Sequence, residues 1–222
     1  MFIERLFRKR PRIEVKNYFG GIASEWDSIS REFYGPGIRD RILEHVRPEP
    51  GKIIADLGAG TGFISEGLRD SPASIIAIDI SKEMLQEMQS KFQGARNIDY
   101  RVGEANHLPV KNGIVDYVLA NMYLHHVEDP PRAIREIYRI INPGGRLVLT
   151  DLDSHEYRFL QEEQHDIWLG FRHSDIRDWL RAAGFNNVRV GSIQEYCCDS
   201  STGTEKPSKL STFLAVGEKR KP

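Results

Sequence analysis

The chain has 222 residues, of which 40% are hydrophobic and 28% charged, with a formal net charge of −1. That length and usage suit one globular domain with its own core and exclude a fibrous or wholly disordered chain. So even a charge balance argues against nucleic acid as the main partner and for a small, roughly neutral one. In chain order, Met1 to Arg10 is basic but lacks the apolar run and cleavage site of a secretory signal. It reads as a solvated tail or a short amphipathic helix. Residues 1–36 are expected to form a helical lid or tail, and 37–218 the main domain. Ile38, Ile42 and Val46 recur every four residues and predict a helix that stops before Pro48. Ile53 to Leu57 reads as a buried strand, the glycine-rich turn 58–62 follows, and Phe63 to Arg69 is expected to open a helix. Ser74 to Asp79 is a second strand. Ser81 can cap a helix carrying Met84, Leu85, Met88 and Phe92 on one face and ending near Gly94. Strands are expected at 98–102 and 115–121. Pro130 and Pro131 start a helix with the stripe Ile134, Ile137, Tyr138 and Ile141, which Asn142-Pro143-Gly144-Gly145 stops. A fifth strand over 146–151, a helix over 174–183 and two strands near Val188 and Phe213 complete a doubly wound α/β domain with seven strands. No apolar run reaches the roughly 18 residues of a membrane span, so stable membrane insertion is not expected. The two cysteines, Cys197 and Cys198, are adjacent, which suits a reducing cytoplasm better than a disulfide framework.

The turn Asp56-Leu57-Gly58-Ala59-Gly60-Thr61-Gly62 falls where a parallel strand meets the following segment, the edge at which such sheets bind ligands. Its glycines let backbone bend tightly and approach a ligand without a side chain between. Asp79 follows at the end of the second strand, placed to accept both hydroxyl protons of a ribose. A dinucleotide fits poorly: the spacing is Gly58-x-Gly60-x-Gly62, and Phe63 stands where the last glycine of GxGxxG would fall.

Residues 55–62, Ile78-Asp79-Ile80-Ser81, Gly103-Glu104-Ala105 with Leu108-Pro109, residues 116–126 and Asn142 to Leu147 occur in order. Together they resemble a class I S-adenosylmethionine-dependent methyltransferase, over roughly residues 15–190. Tyr18-Phe19 with Trp26-Asp27 resembles the N-terminal helix of the quinone-biosynthesis and arsenite-methylating branches. The resemblance implies a Rossmann-like, mostly parallel sheet whose last strand is antiparallel. It implies that Gly58, Ala59, Gly60 and Gly62, with Asp56 at their start, cradle the methionine part of S-adenosylmethionine. Asp79 would take the ribose hydroxyls, Ile80 and Met84 the adenine faces, and Glu104 with Ala105 the adenine amino group. Asn121 and Met122 would face the methionine end, and Tyr18 would close the site. Met84 reads equally as a core methionine at helical spacing.

Methyl transfer from a sulfonium depends on alignment and exclusion of water more than on acid–base groups. His125 and His126, just past the fourth strand, are the candidate catalytic residues, either as a base for a protonated acceptor or as orienters of the loop. Cys197 and Cys198 could bind a thiophilic element such as trivalent arsenic, or simply pack. His155, His165 and His173 with Glu162, Glu163 and Asp166 match no compact metal-ligand pattern, so no metal is expected; a solvated charged face is. The expected function is methylation of a small-molecule acceptor. A metalloid methyltransferase and a non-catalytic sensor or scaffold remain as alternatives, and the oligomeric state stays open. No base-flipping motif or basic strip points to nucleic acid.

Overall fold

A computed structural model describes residues 12–30, 37–196 and 210–221. Helices α1 (Arg12–Ile22) and α2 (Trp26–Ser30) precede α3 (Gly37–Leu43). The sheet is built from β1 (Ile53–Leu57), β2 (Ser74–Asp79), β3 (Ile98–Val102), β4 (Val115–Asn121) and β5 (Ile141–Leu152), then β6 (Asn186–Tyr196) and β7 (Leu210–Glu218). Helix α4 (Lys82–Lys91) joins β2 to β3, and α5 (Pro130–Ile140) joins β4 to β5. Helices α6 (Phe159–Glu163) and α7 (His173–Ala183) lie between β5 and β6. The strand order is β3-β2-β1-β4-β5-β7-β6, with β1 to β5 parallel and β7 antiparallel to both its neighbours. This is the doubly wound, seven-stranded sheet with an antiparallel last strand that the sequence predicts.

The central strands read as near-continuous apolar runs because both faces of the sheet are covered. Val118 and Ala120 of β4 pack with α5 and α7 residues such as Ile134, Ile137, Ile176 and Leu180. Leu119, between them, points to the opposite face with Ile42, Val46, Ile64 and Leu68. Ser81 caps α4 as expected: its hydroxyl accepts from Met84 N at 3.1 Å. Strands β3 and β4 have the predicted bounds.

Two elements differ from expectation. Residues 63–69 form a short 3₁₀ turn over Ser65–Gly67 rather than a full helix. Its bonds run i to i+3, Gly67 N to Ile64 O at 3.1 Å and Leu68 N to Ser65 O at 3.0 Å. Gly67 removes helix propensity there, and α3 presses on it so closely that a Cβ would stand 2.6 Å from Leu43 Cδ1. Strand β5 begins at Ile141, five residues early. Ile141 pairs with Val115 at once, and the Asn142 to Gly145 stretch becomes a bulge tied to β4 by Asn142 Nδ2 donating to Asp116 Oδ1 at 2.9 Å.

Candidate functional site

In the sheet β1 lies between β2, which precedes β3, and β4, so the chain reverses its direction of travel across the sheet beside β1. The crevice at the carboxyl ends of β1 and β4 is therefore the topological switch point of the fold. A cleft opens there.

The glycine turn forms one wall. Gly58, Gly60 and Gly62 all have left-handed backbone, with φ of 64°, 53° and 95°. Their surroundings divide them. Gly58 and Gly60 border the cleft with Ala59, and the ring of Tyr123 comes so close that a Cβ on Gly58 would stand 2.7 Å from its Cδ2. Gly62 lies outside the cleft lining. A Cβ there would meet Phe92 and Met88 at 2.7 to 2.9 Å, so its work is to let α4 pack on the turn.

Two buried carboxylates flank the turn. Asp56 accepts from Ser65 Oγ at 2.6 Å. Burial pushes it up to about 7; the Ser65 bonds oppose that rise, and the nearby charge of Asp79 adds to it. Asp79 accepts from Gly60 N at 2.9 Å through Oδ2 and from Ser81 N at 2.8 Å through Oδ1. Burial raises its pKa too, against those backbone donors. Each oxygen of Asp79 keeps a further lone pair, which is what two ribose hydroxyls require.

Ile80, Met84, Glu104 and Ala105 border the same cleft from the β2 and β3 side. Met84 is also almost fully buried, so the core and site readings of this residue both describe it. Asn121 and Met122 border it from β4. The Asn121 amide oxygen accepts from Thr150 Oγ1 at 2.7 Å, and Met122 adopts a left-handed φ of 51°, a costly conformation for its residue type that turns the chain out of the sheet.

Tyr18 is placed elsewhere. Its hydroxyl donates to Gln164 Oε1 at 2.9 Å and its ring packs on His165, so Phe19 and Trp26 line the cleft in its stead. The helical period decides this: neighbouring residues of α1 point about 100° apart. Thr61 Oγ1 donates to Asp27, which also pairs with Lys91 Nζ at 2.6 Å, and these bonds hold the N-terminal helices on the turn.

The two histidines part company. His126 borders the cleft, its ring edge-on to Phe19 at 4.9 Å. Burial first, and then the neighbouring charge of His125, hold its pKa well below the usual value, so it is neutral at pH 7. His125 is buried behind the turn, with Nδ1 2.7 Å from Asp151 Oδ1. Burial opposes its charge, but Asp151 and Asp166 outweigh that and carry its pKa up to about 9. Asp151 is fully buried and also accepts from the backbone N–H groups of Tyr123 (3.2 Å), Leu124 (2.7 Å) and Leu152 (2.8 Å).

The charged face expected around His155, His165 and His173 is not solvated throughout. Asp166 is 3% exposed, and His173 Nε2 pairs with Asp153 Oδ1 at 2.6 Å. The reason is that residues 153–171 fold back on the His125 turn. Ile167 N and Trp168 N both donate to His125 O, at 2.9 and 3.1 Å, and Trp168 Nε1 donates to Val127 O at 2.8 Å. Sequence reasoning gave no cofactor-site role to Phe19 or Trp26, which line the cleft, or to Asp151, and it read Asp166 as part of a solvated face; both acids lie behind the cleft wall, outside its lining. Only Asp151, an acid near the end of a mostly apolar strand, carried a local signal. Cys197 and Cys198 lie outside the described residues.

Residues 55–149 match the family model described as a methyltransferase domain. The chain is 34% identical over 140 residues to an uncharacterised methyltransferase-like protein of Schizosaccharomyces pombe, a match covering 63% of this chain and 52% of that one. It is 32% identical over 172 residues to a demethylmenaquinone methyltransferase of Clavibacter sepedonicus, covering 64% of this chain and 69% of that one. The chain belongs to the class I S-adenosylmethionine-dependent methyltransferase family. Against other curated relatives the matched stretch spans 56% and 60% of their length. The fold also matches the structure of Haemonchus contortus phosphoethanolamine N-methyltransferase 2 in complex with S-adenosyl-L-methionine, with a TM-score of 0.74 at 15% identity, covering 93% of this chain and 60% of that one.

Proposed function

We propose that the chain transfers a methyl group from S-adenosylmethionine directly to a small-molecule acceptor. The observation that carries this reading is the pair of buried carboxylates, Asp56 and Asp79, on either side of a backbone cradle at the switch point. Carboxylates whose ionisation burial holds back fit a ligand that brings positive charge. The cofactor, when bound, supplies a methyl group on a sulfonium that departs as a neutral thioether. Asp79 is assigned to the ribose hydroxyls, and the Gly58 to Gly60 backbone with Asn121 and Met122 to the methionine end. Ile80 and Met84 take the adenine faces, and Glu104 with Ala105 its amino group.

The chain's remaining work is to align the acceptor and keep water out. Phe19, Trp26 and Val127 give the cleft an apolar wall beyond the glycine turn. The Tyr18 to Gln164 hydrogen bond ties α1 to the 153–171 loop, so that loop braces from outside the wall that the N-terminal helices form. His126 is part of that wall and His125 is a positioning residue, locked through Asp151 to the backbone of the turn. No helix among the described residues is long and apolar enough to cross a membrane; a cytoplasmic setting, supported by two adjacent cysteines as the whole thiol content, goes with this reading.

A screen of candidate acceptors with radiolabelled cofactor tests the proposal, arsenite with free thiol and bulk RNA, DNA and protein included. Label on a small organic acceptor is the expected result. Transfer only to macromolecules would overturn the acceptor class, and no cofactor binding at millimolar concentration would leave the scaffold reading. Affinity should also depend on pH. Below about 7 the ligand-free Asp56 is protonated. A cationic ligand favours its carboxylate, so binding releases a proton and must weaken as pH falls. The slope should approach about tenfold per pH unit under pH 6, level off by pH 8 and flatten in Asp56→Asn. Calorimetry across that range reads it; an affinity independent of pH would remove Asp56 from the site.

A further inference from the structure

Three side chains to which the proposed transfer assigns no proton or group to handle converge beside the cleft: His125 and His126 from the turn after β4, and Asp166 from the 153–171 loop. His125 Nε2 lies 3.7 Å and His126 Nδ1 3.8 Å from the same oxygen, Asp166 Oδ1. All three donor atoms fall within 4.8 Å of one another. These separations are too long for hydrogen bonds, and His126 Nδ1 is buried with no hydrogen-bond partner. Ligands held about 2.0–2.2 Å from a tetrahedral ion stand about 3.3–3.6 Å apart, so each histidine needs to approach Asp166 by only a few tenths of an ångström, while the two imidazole nitrogens, within 4.8 Å of each other, close by up to about 1 Å more through ring rotation.

The surroundings complete the argument. Asp151 holds the Nδ1 edge of His125 at 2.7 Å and keeps a proton there, so the proton a metal ion displaces is the one on Nε2, the atom facing Asp166. Asp151 and Asp166 are 0% and 3% exposed, and two carboxylates so deeply buried require compensating charge. In the metal-free chain a cationic His125 supplies part of that charge; a divalent ion that displaces its Nε2 proton balances both carboxylates in full.

We propose that His125 Nε2, His126 Nδ1 and Asp166 Oδ1 bind a divalent transition-metal ion of the zinc class. Imidazole and carboxylate ligands in a three-ligand set suit that class. Two ligands come from the turn and one from the loop, so the ion clasps the 153–171 loop to the wall of the cleft. This site stands whether or not the methyl-transfer reading does.

The test uses the full, untagged chain stripped with a chelator and titrated with Co²⁺, without cofactor. The expected result is one Co²⁺ per chain with visible d–d bands, displaced by Zn²⁺, and an affinity at least about tenfold weaker in Asp166→Asn and His126→Gln. Asp166 does not border the cofactor cleft, so Asp166→Asn should still bind S-adenosylmethionine within about threefold of the parent; loss of that binding would test the methyltransferase reading instead. Proton NMR of Co²⁺-loaded wild-type chain needs no variant and should show two strongly shifted histidine N–H signals. Equal affinity in wild type and Asp166→Asn, no shifted histidine signals, or a sulfur-to-cobalt charge-transfer band placing the ion on Cys197 and Cys198 would each overturn the proposal. So would no binding at all, which would leave an imidazolium at His125 as the compensating charge.

Discussion

Asp79→Ala is expected to weaken S-adenosylmethionine binding by about 30- to 1000-fold, read by calorimetry, while the chain stays folded. The carboxylate holds Gly60 N and Ser81 N at 2.9 and 2.8 Å in addition to its assigned ribose contact. Alanine removes both acceptors, so the glycine turn and the start of α4 lose their common anchor. Truncating one side of a buried, charge-assisted hydrogen-bond set costs about 2–5 kcal/mol of binding, and the lower part of that range, about 2–4 kcal/mol, corresponds to the expected loss. Stability follows a different rule. Burial raises the pKa of Asp79, so at neutral pH its ionised form works against folding. Removing it offsets part of the loss of the two backbone bonds, and the melting temperature of ligand-free protein should move little. Asp79→Asn, which keeps one acceptor oxygen, should fall between wild type and alanine. An unchanged dissociation constant in Asp79→Ala would remove the ribose assignment, and unfolding would show that the residue acts mainly as scaffold.

Gly170→Ala should have the largest effect on stability of any single added methyl group in the 153–171 loop. Gly170 has φ +67°, and a Cβ there would fall onto the Asp153 carbonyl oxygen, with the Asp153 carbon at 2.7 Å and Leu152 O at 2.8 Å. These neighbours are backbone of β5 and its exit, so they cannot swing aside as a side chain would. The left-handed φ adds strain of its own. The chain relieves the clash by lifting the loop, losing the Asp153 to Phe171 bridge and the Ser154 N to Phe171 O bond of 3.1 Å. A cost of about 3 kcal/mol corresponds to a melting temperature lower by about 6–12 °C, with faster proteolysis inside 153–171. Gly191→Ala is the control: a Cβ there meets nothing within 4 Å, and its effect should stay within about 0.5 kcal/mol. Equal melting temperatures for the two variants would refute the clash.

The sheet was legible because its strands are buried on both faces. A near-continuous run such as Tyr117 to Ala120 has no other stable place, and the predicted bounds of β4 match the structure; β3, an exposed edge strand, was legible instead from its short β-branched run. The turn and Asp79 were legible for a related reason: both lie on chain that the sheet positions directly. What escaped is what tertiary packing decides. Residues 63–69 have helical periodicity, yet the approach of α3 to Gly67 tightens them into a 3₁₀ turn. Asp166 sits among Glu162, Glu163 and His165, and nothing local shows that the loop turns it inward to the histidines. Tyr18 and Phe19 are adjacent aromatics, and only the docked angle of α1 determines which of them borders the cleft.

The 153–171 loop leaves the sheet and returns to it at one point, where Asp153 pairs with Phe171. A segment whose two ends already touch adds little closure entropy when it lengthens or shortens. Its middle can therefore change in length without changing strand order or the cofactor cradle, since none of its residues borders the cleft, which makes it a cassette clipped to the chassis at a single joint.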